Sequence, residues 1–296
     1  MRQVQKLTCP NGRRGADMSM IQGPYRATGI IGDTRVAALP GSRLDMPMNY
    51  QIPPFASNLV YQLQYFEGLQ FPQVDFNLLP MSSWLTAANL NAWLARTSDD
   101  ASSIASGVTL FDGARGYVLQ HGAAAGAKMA RVMIGGSQGA PLRTRVSFWG
   151  TSIVYSEPAP SIITDNIANF NRVSFSSSTG WTGVSNIISF DLTIDNNLMP
   201  NPELNGSLNP TEINAGIMTA SLSLVLQADK EAPSNEDDIS ILIDADLDGV
   251  TDLTIVCANL LVQNPYLREV QGPRPLKTYE CICLAMINGT APVVIS

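Results

Sequence analysis

The stretch that decides the fold runs from Asn186 to Gln227 and reads NIISFDLTIDNNLMPNPELNGSLNPTEINAGIMTASLSLVLQ. Apolar and polar residues alternate near both of its ends, over 188–195 and 218–227. Such period-two alternation is typical of strands that have one face on a core and the other in water. The stretch therefore predicts two strands of a sheet that is covered on one face only.

Between these two strands lies a segment rich in Pro, Asn and Gly, a composition that breaks both helix and strand. A long loop inside a compact fold usually has a function or is disordered. Apolar side chains recur along this loop more often than in a solvated linker; they are Leu198, Met199, Leu204, Leu208 and Ile213. We expect them to lack a partner within their own domain and to dock onto a surface outside it.

The same residues carry a family resemblance. The strand SFDLTIDN (189–196), the loop and a second strand that opens with GIMTAS (216–221) resemble the major tail tube protein of long-tailed bacteriophages. The resemblance is strongest over 186–227 and extends over roughly 40–290. It implies β-sandwich subunits in rings of six-fold or pseudo-six-fold symmetry, which stack into a conduit for DNA.

The resemblance also implies a structural, non-enzymatic virion protein that self-assembles and has no cofactor. The loop and the N-terminal arm would bridge between rings, and strands would pair across subunits to close an inner barrel, which removes exposed edges. The partners would be other copies of the chain, a tail terminator, a tape measure and baseplate or tip proteins. DNA would pass without specific binding, no membrane is involved, and the protein would be made in the host cytoplasm.

Two other classes remain open. One is a calcium-dependent surface adhesin or a carbohydrate-binding β-sandwich, in which the loop would be the binding site. The other is a different virion component, such as a capsid decoration or baseplate protein. An adhesin would be expected to carry a secretion signal, and the N-terminal sequence lacks the apolar segment of one.

The composition fits a surface that identical neighbours cover. Charged residues make up 15 % of the chain, against about 25 % in typical soluble domains, and interface cores are depleted in charge. A β-rich secreted protein has a similar composition. The net charge of −7 disfavours a protein that grips phosphate, but it suits a wall past which DNA slides.

The four cysteines, Cys9, Cys257, Cys281 and Cys283, show neither zinc-type spacing nor a disulfide framework. We expect them to be reduced and structural. Cys281 and Cys283 alternate on one strand and should face the same side. No apolar run reaches the roughly 18 residues of a membrane helix.

The chain divides into an N-terminal arm (1–50), a first β-domain (51–155) and a second β-domain (156–296) that contains the long loop. One helix is predicted in the first half, over 81–98, with Ser82 or Ser83 as its N-cap. Its tryptophans, Trp84 and Trp93, should pack in the core. The predicted fold class is thus mainly β, a sandwich or barrel of duplicated tail-tube-like domains with one short α-helix.

Three pairs of landmarks suggest the duplication. Leading strands near Leu59 and Ile188 are followed by Asp-Gly turns at 112–113 and 248–249, and then by the related segments PLRT (141–144) and PLKT (275–278). A missed repeat misassigns the whole fold. If each chain supplies two domains, a ring holds three chains; if the chain is one large domain, it holds six.

The sharpest chemical motif is DADLDGVTD, in which Asp244, Asp246, Asp248 and Asp252 match the start of an EF-hand calcium loop. Ile255 stands where the bidentate Glu belongs, and no helix precedes the motif. A β-hairpin closed by Asp-Gly explains the same residues. We therefore expect no metal.

Other polar residues indicate no reaction. His121 is the only histidine and has no nucleophile motif beside it. The glycine-rich segment 135–139 lacks the features of a phosphate loop. Arg143 and Arg145 point to one face of a strand, which is either solvated or paired across subunits with the acidic segment 229–238.

Overall fold

A computed structural model describes residues 23–26, 28–46, 48–51, 66–97, 100–104, 106–112, 115–121, 124–156, 162–201, 210–227, 232–263, 268–269, 276–284 and 291–296. The predicted strand near Leu59, Cys9 and the loop residues Leu204 and Leu208 lie outside these ranges.

Most described residues belong to strands. The first half contains β1 (Gly23–Arg26), β2 (Gly29–Ile31), β3 (Thr34–Val36), β4 (Arg43–Asp45), β5 (Met48–Gln51), β6 (Phe66–Gln70), β7 (Gln73–Leu78), β8 (Arg96–Thr97), β9 (Asp100–Ala101), β10 (Val108–Asp112), β11 (Arg115–His121), β12 (Ala124–Ala125), β13 (Lys128–Ser137), β14 (Arg143–Trp149) and β15 (Ser152–Ser156). The second half contains β16 (Ile162–Asp165), β17 (Val173–Ser177), β18 (Ile187–Asp195), β19 (Leu198–Asn201), β20 (Glu212–Ala215), β21 (Thr219–Gln227), β22 (Ile239–Ile243), β23 (Leu253–Cys257), β24 (Leu260–Val262), β25 (Arg268–Glu269), β26 (Leu276–Cys283) and β27 (Val293–Ile295).

The helix α1 (Ala87–Trp93) is shorter than predicted, and its N-cap is Thr86, whose hydroxyl accepts a hydrogen bond from the Asn89 N–H. Ser82 and Ser83 do not cap it; they lie in the turn before Thr86, where the Ser82 hydroxyl and the Ser83 N–H donate to the distant carboxylate of Asp165. Two short 3-10 helices, Phe170–Arg172 and Thr182–Asn186, complete the helical residues that the structure describes. In this part of the chain, no helix is long and apolar enough to span a membrane.

A nine-stranded antiparallel sheet, here called the long sheet, runs through the molecule in the order β24-β26-β21-β18-β13-β14-β7-β4, with β25 also paired to β26. The first half of the chain supplies β13, β14, β7 and β4, and the second half supplies the others. The two sets meet where β13 pairs with β18, from Arg131↔Asp195 to Ser137↔Ser189.

The core lies on one face of the long sheet. Alternate residues of its strands are buried there, including Phe76, Phe148, Phe190 and Leu222. These apolar side chains form one continuous cluster with the helix and with two smaller sheets. The predicted period-two alternation is therefore confirmed, and the fold is mainly β with the layers of a sandwich.

Each half of the long sheet has its own covering layer. Over the first half lie α1, whose Trp93 meets Phe148 edge-on, and a six-stranded sheet, whose Gly29 lies directly against the Phe76 ring. Over the second half lies the four-stranded sheet β17-β22-β23-β27, whose Phe175 packs against Phe190 at 5.4 Å between ring centroids. Trp84 and Trp93 stack in this core as predicted.

The two halves share one topology. In chain order, the long sheet takes β4, β7, β13 and β14 from the first half and β18, β21, β24 and β26 from the second. Each set of four strands is here called a quartet. Along the long sheet, starting from the β24 end, each quartet places its third strand first, followed by its fourth, its second and its first. In the covering layers, β2 pairs with β10 as β17 pairs with β22, and β11 pairs with β10 and β15 as β23 pairs with β22 and β27.

Two landmarks of the repeat need correction. The first strand of the first quartet is β4, which lies inside the predicted N-terminal arm; its three residues are too few to show periodicity. PLRT and PLKT do lie on equivalent strands, but the motif aligns the exposed Arg145 with Tyr279, which is 1 % exposed. Because a shift of one residue moves every side chain to the other face, the true register differs by one position from the sequence match.

The position of Phe148 makes the core directly testable. This ring is fully buried and contacts both Phe76 and Trp93. We expect Phe148→Ala to lower the free energy of unfolding by about 3–5 kcal/mol, because it leaves a cavity between the sheet and α1. Val250→Ala, at a position that is 63 % exposed, should stay within about 0.5 kcal/mol. Equal losses in denaturant unfolding would contradict this placement of the core.

Candidate functional site

The face of the long sheet opposite the core is exposed and polar. Outward positions alternate with the buried ones, and over β18 and β21 they carry Ser189, Asp191, Thr193, Asp195, Thr219, Ser221, Ser223, Val225 and Gln227. The sequence assigned these strands to the correct faces. The side chains are mainly hydroxyls and carboxylates, which makes a hydrated surface.

Four arginines on this face pair with aspartates on other strands of the long sheet. Arg131 donates from Nε and Nη2 to Asp195 Oδ2, at 2.8 and 2.6 Å, across the β13–β18 junction. Arg43 and Arg145, from opposite sides of β7, both reach Asp75 Oδ2, at 3.2 and 3.1 Å. We call these contacts, together with the fourth pair described next, the ion-pair ladder.

The fourth pair crosses a strand. Arg143 on β14 and Asp191 on β18 meet at 3.0 Å over Gly135 of β13, which pairs with both residues. A Cβ on residue 135 would lie 1.9 Å from Asp191 Oδ1 and 2.8 Å from the Phe190 carbonyl oxygen. Glycine at position 135 leaves room for the ion pair between Arg143 and Asp191. The glycine-rich segment 135–139 is therefore explained by the surface of the long sheet.

The surroundings of the carboxylates affect their protonation differently. Burial alone would raise the pKa of Asp75, but hydrogen bonds from Ser147 and the two arginines lower this pKa below its ordinary value. At Asp191, burial raises the pKa, and the charge of Arg143 offsets this rise only in part. Arg143 and Arg145 are exposed, as one prediction stated, and within the chain they pair with Asp191 and Asp75. Pairing across subunits with the segment 229–238 stays a prediction.

The long loop begins and ends as the hairpin β19–β20, which continues β18 and β21 past the end of the long sheet. Its base is firmly packed. Leu198 and Ile213 are 6 % and 0 % exposed, and they cluster with Ala101, Ala130 and Trp149. Leu198 and Ile213 thus dock outside their own predicted domain, as expected, but the surface that they contact is the first half of the same chain. Met199 is 59 % exposed.

A buried lysine anchors the hairpin. Lys128, whose side chain is 4 % exposed, donates to Asp100 and, at 2.6 Å, to the Ile213 carbonyl oxygen. Asp100 also accepts the Ala215 N–H at 2.8 Å. Burial would raise the pKa of Asp100, but the hydrogen bonds from Lys128 and Ala215 outweigh it and lower this pKa. No sequence signal linked these residues, because 85 positions separate Lys128 from Ile213.

A second anchor lies beside the first. Arg96 donates from Nη1 to Asn196 Oδ1 at 3.2 Å and from Nη2 to the Gly216 carbonyl oxygen at 2.7 Å. The Asn196 amide in turn donates to the Met129 carbonyl oxygen at 2.9 Å. Both ends of the hairpin are thereby tied to the first half of the chain.

The acidic motif lies in the loop between β22 and β23. Ligand atoms of Asp244, Asp246 and Asp252 lie within 4.8 Å of one another. The loop's own backbone already uses these groups: Asp244 accepts the N–H groups of Leu247 and Gly249, and Asp252 accepts those of Ala245 and Asp246. Asp248 stands apart and accepts the Val250 N–H. β22 and β23 form a hairpin as predicted, but the connection is the longer loop 244–252 rather than a tight turn closed by Asp248 and Gly249.

The described cysteines are free and buried, and Cys281 and Cys283 face the same side as predicted. Burial and the neighbouring Cys283 raise the pKa of Cys281 to about 12. Such a thiol is a poor nucleophile, because the thiolate is the reactive form.

The two outer edges of the long sheet differ, because residues 235–237 already bond to the outer side of β24: the Leu260 N–H donates to the Asp237 carbonyl oxygen, the Leu260 carbonyl oxygen accepts the Glu236 N–H, and the Val262 N–H donates to Asn235 Oδ1. Within the described ranges, no strand pairs with the outer side of β4 at one end or of β24 and β25 at the other. Leu39 and Met46 are exposed beside the first edge, and Leu261 and Leu284 beside the second, each 38–43 %. An unprotected edge such as the outer side of β4 is a template for pairing with another chain.

His121 supplies a pH test of the hairpin anchor. Its Nε2 accepts the Ile213 N–H at 3.3 Å, and burial together with the Lys128 charge lowers its pKa. As the pH falls, His121 is therefore protonated in the unfolded chain before it is protonated in the folded chain. The stability that is present above pH 6.5, the ordinary pKa of histidine, is lost between that pH and the pKa of His121 in the folded chain. In His121→Gln, an amide oxygen can accept the same N–H without titrating.

We expect the melting temperature of the wild type to fall more than that of His121→Gln between about pH 7.5 and 5.5. The interval is informative because the sequence has no other histidine. Parallel declines in the two proteins would show that His121 does not report on the anchor.

Comparison with known proteins agrees with this geometry. A family model described as "Phage tail tube protein" matches residues 32–274, which is more than half of the chain. The match includes the whole first quartet of the long sheet and β18, β21 and β24 of the second. No curated protein matches the sequence.

Proposed function

The chain belongs to the phage tail tube protein family and is a structural component of a bacteriophage tail, and we propose that its copies self-assemble into stacked rings that conduct DNA during ejection. The observation that carries this proposal is the repeated quartet. Within one chain, the third strand of the first quartet (β13) already pairs with the first strand of the second (β18). The equivalent strands, β24 and β4, stand at the two ends of the long sheet. The outer side of β4 is free of other strands, and that of β24 becomes available for pairing when residues 235–237 release its backbone groups.

Pairing β24 of one copy with β4 of the next would repeat the β13–β18 junction. The strands of the long sheet alternate in direction, and each copy brings eight of them along the path from β24 to β4. The new pair would therefore be antiparallel, like the internal one. Such head-to-tail contacts form a ring when the rotation closes, and closure removes both edges.

We infer that each half of the chain is one domain and that three chains form a ring of six quartets. On this view the second domain is 156–296, as the sequence suggested, and the first extends back from 51–155 to include β2 and β4. The polar face of the long sheet would line the lumen, since the smaller sheets cover its other face. The role is mechanical and needs no cofactor or reaction. A tail terminator, a tape measure and baseplate or tip proteins remain the proposed partners, and the host cytoplasm the place of synthesis.

A cysteine pair tests both the contact and the stoichiometry. We take Arg131 of β13 and Leu261 of β24 as equivalent outward positions. The cross-strand partners then lead from Arg131 through Ser147 and Asp75 to Arg43, and from Leu261 through Ile282 and Ser221 to Thr193. Arg43 thus matches Thr193, and Asp45, two positions on, matches Asp195. Because Arg131 pairs with Asp195, Leu261 of one copy should pair with Asp45 of the next.

We expect Asp45→Cys/Leu261→Cys, in a Cys9→Ser background, to cross-link on oxidation into covalent species of no more than three chains, measured by denaturing electrophoresis of purified tubes. Each single substitution is a control and should stay monomeric. Asp45→Cys/Gln263→Cys tests the register shifted by two residues. Closed six-chain species would rule out the three-chain ring, and no cross-link in either register would contradict the edge pairing.

The hairpin β19–β20 is proposed to contact the next ring. Barrel strands run obliquely along the barrel axis, so a hairpin that continues β18 and β21 projects from the rim. Leu198 and Ile213 secure its base inside the chain, and the contact is therefore assigned to the exposed Met199 and to Leu204 and Leu208. The N-terminal arm before β2 is proposed to help bridge the rings.

We expect Met199→Ser/Leu204→Ser/Leu208→Ser to leave the melting temperature nearly unchanged and to abolish tubes in negative-stain microscopy. The substitutions remove apolar area from the proposed ring-to-ring contact and spare the buried anchor. Val250→Ser, at another exposed apolar position, should still form tubes. If the triple variant unfolds, these side chains belong to the core; if it forms normal tubes, the hairpin does not join rings.

A further inference from the structure

The ion-pair ladder contains more ion pairs than the stability of the fold explains. Every arginine at a described outward position of the long sheet has an aspartate partner within the same chain: Arg43 and Arg145 with Asp75, Arg131 with Asp195, and Arg143 with Asp191. These arginine side chains are 49–67 % exposed. Exposed ion pairs of this kind typically contribute about 0.2–1 kcal/mol each, so folding alone is a weak reason for four of them on one face.

The ladder matters more to a passing polyanion. A free guanidinium displaces counterions from DNA and binds phosphate, and several such contacts hold the duplex strongly at moderate salt. A guanidinium that already faces a carboxylate gains little from phosphate, which would have to replace an existing charge-assisted bond. The rest of the face over β18 and β21 offers hydroxyls, and Glu280 on β26 adds another carboxylate.

We propose, building on the tube proposed above, that Asp75, Asp191 and Asp195 mask the luminal arginines, so that double-stranded DNA meets no unpaired cation on this wall and slides without being retained. The arginines tie neighbouring strands together, and the aspartates keep them from phosphate. Gly135 belongs to the same device, because its missing side chain lets Arg143 reach Asp191.

The test converts the three aspartates to isosteric amides. Asp75→Asn/Asp191→Asn/Asp195→Asn keeps the shape of each side chain, replaces one of its two acceptor oxygens by an NH2 group and removes the charges that hold the guanidiniums. Binding of a short duplex DNA is measured for dispersed protein and for purified tubes over a series of salt concentrations. We expect the variant to bind at least about tenfold more tightly than the wild type at low salt, with affinity that falls as salt rises.

A matched control changes the net charge equally at exposed positions away from this face. Asp33→Asn/Glu236→Gln/Asp248→Asn gains the same charge on turns outside the long sheet and should bind no better than the wild type. Adding Arg43→Gln, Arg131→Gln, Arg143→Gln and Arg145→Gln to the triple amide variant should abolish the gained binding. Equal DNA binding by the two triple variants would overturn the proposal, because net charge alone would then suffice. It also fails if the amide variant gains no affinity.

Microscopy of the same samples separates this inference from the proposed function. If the wild type forms no tubes, the tube proposal fails, while the dispersed proteins still decide whether the aspartates mask the arginines. If tubes form and the amide variant does not retain DNA, only the masking fails. Should the triple substitution unfold the chain, Asp75→Asn alone releases both Arg43 and Arg145 and decides the question by the same assay.

Discussion

The backbone hydrogen bonds between β13 and β18 join the two halves of the chain into one sheet. Without this junction each half would present an unpaired strand, and the two covering layers would belong to separate sandwiches. With it, the core runs without interruption from Phe76 to Leu222. The junction also fixes the relative orientation of the halves, because strand pairing specifies both direction and register.

The same junction determines which surfaces remain free. Since both quartets lie in the same order, joining them side by side leaves one unlike strand at each end of the long sheet. A two-fold arrangement would have left two identical edges and a self-complementary dimer contact. The head-to-tail arrangement favours extension, and in the proposed ring extension ends in closure. In that proposed ring, the polar face lies on the inner wall and the hairpin lies on the rim.

Local pattern was enough to predict much of this structure. Period-two alternation over 188–195 assigned Phe190 to the core and Asp191 and Asp195 to the exposed face, and helical spacing placed Trp84 and Trp93 in the core. The errors arose where distant residues intervene. Asp165 accepts the Ser82 hydroxyl and the Ser83 N–H and so fixes these residues in the turn before α1, and Lys128 binds the hairpin base from another strand. The Arg–Asp pairs depend on strand order, which periodicity does not contain, and β4 is too short to show any pattern.

The exposed edge at β4 and the edge at β24 that residues 235–237 cover explain how such a chain can remain available for assembly. Proteins usually protect edge strands with charge, proline or bulges, and here β4 has only three residues, two of them charged, Arg43 and Asp45. A short, charged edge pairs weakly with an arbitrary strand, because few backbone bonds are gained and the charges need partners. Pairing becomes favourable when the neighbouring surface supplies more than backbone, as exposed Leu261 and Leu284 do beside β24. In the proposed ring, selectivity therefore comes from the apolar side chains beside the edges, while the backbone bonds supply the register.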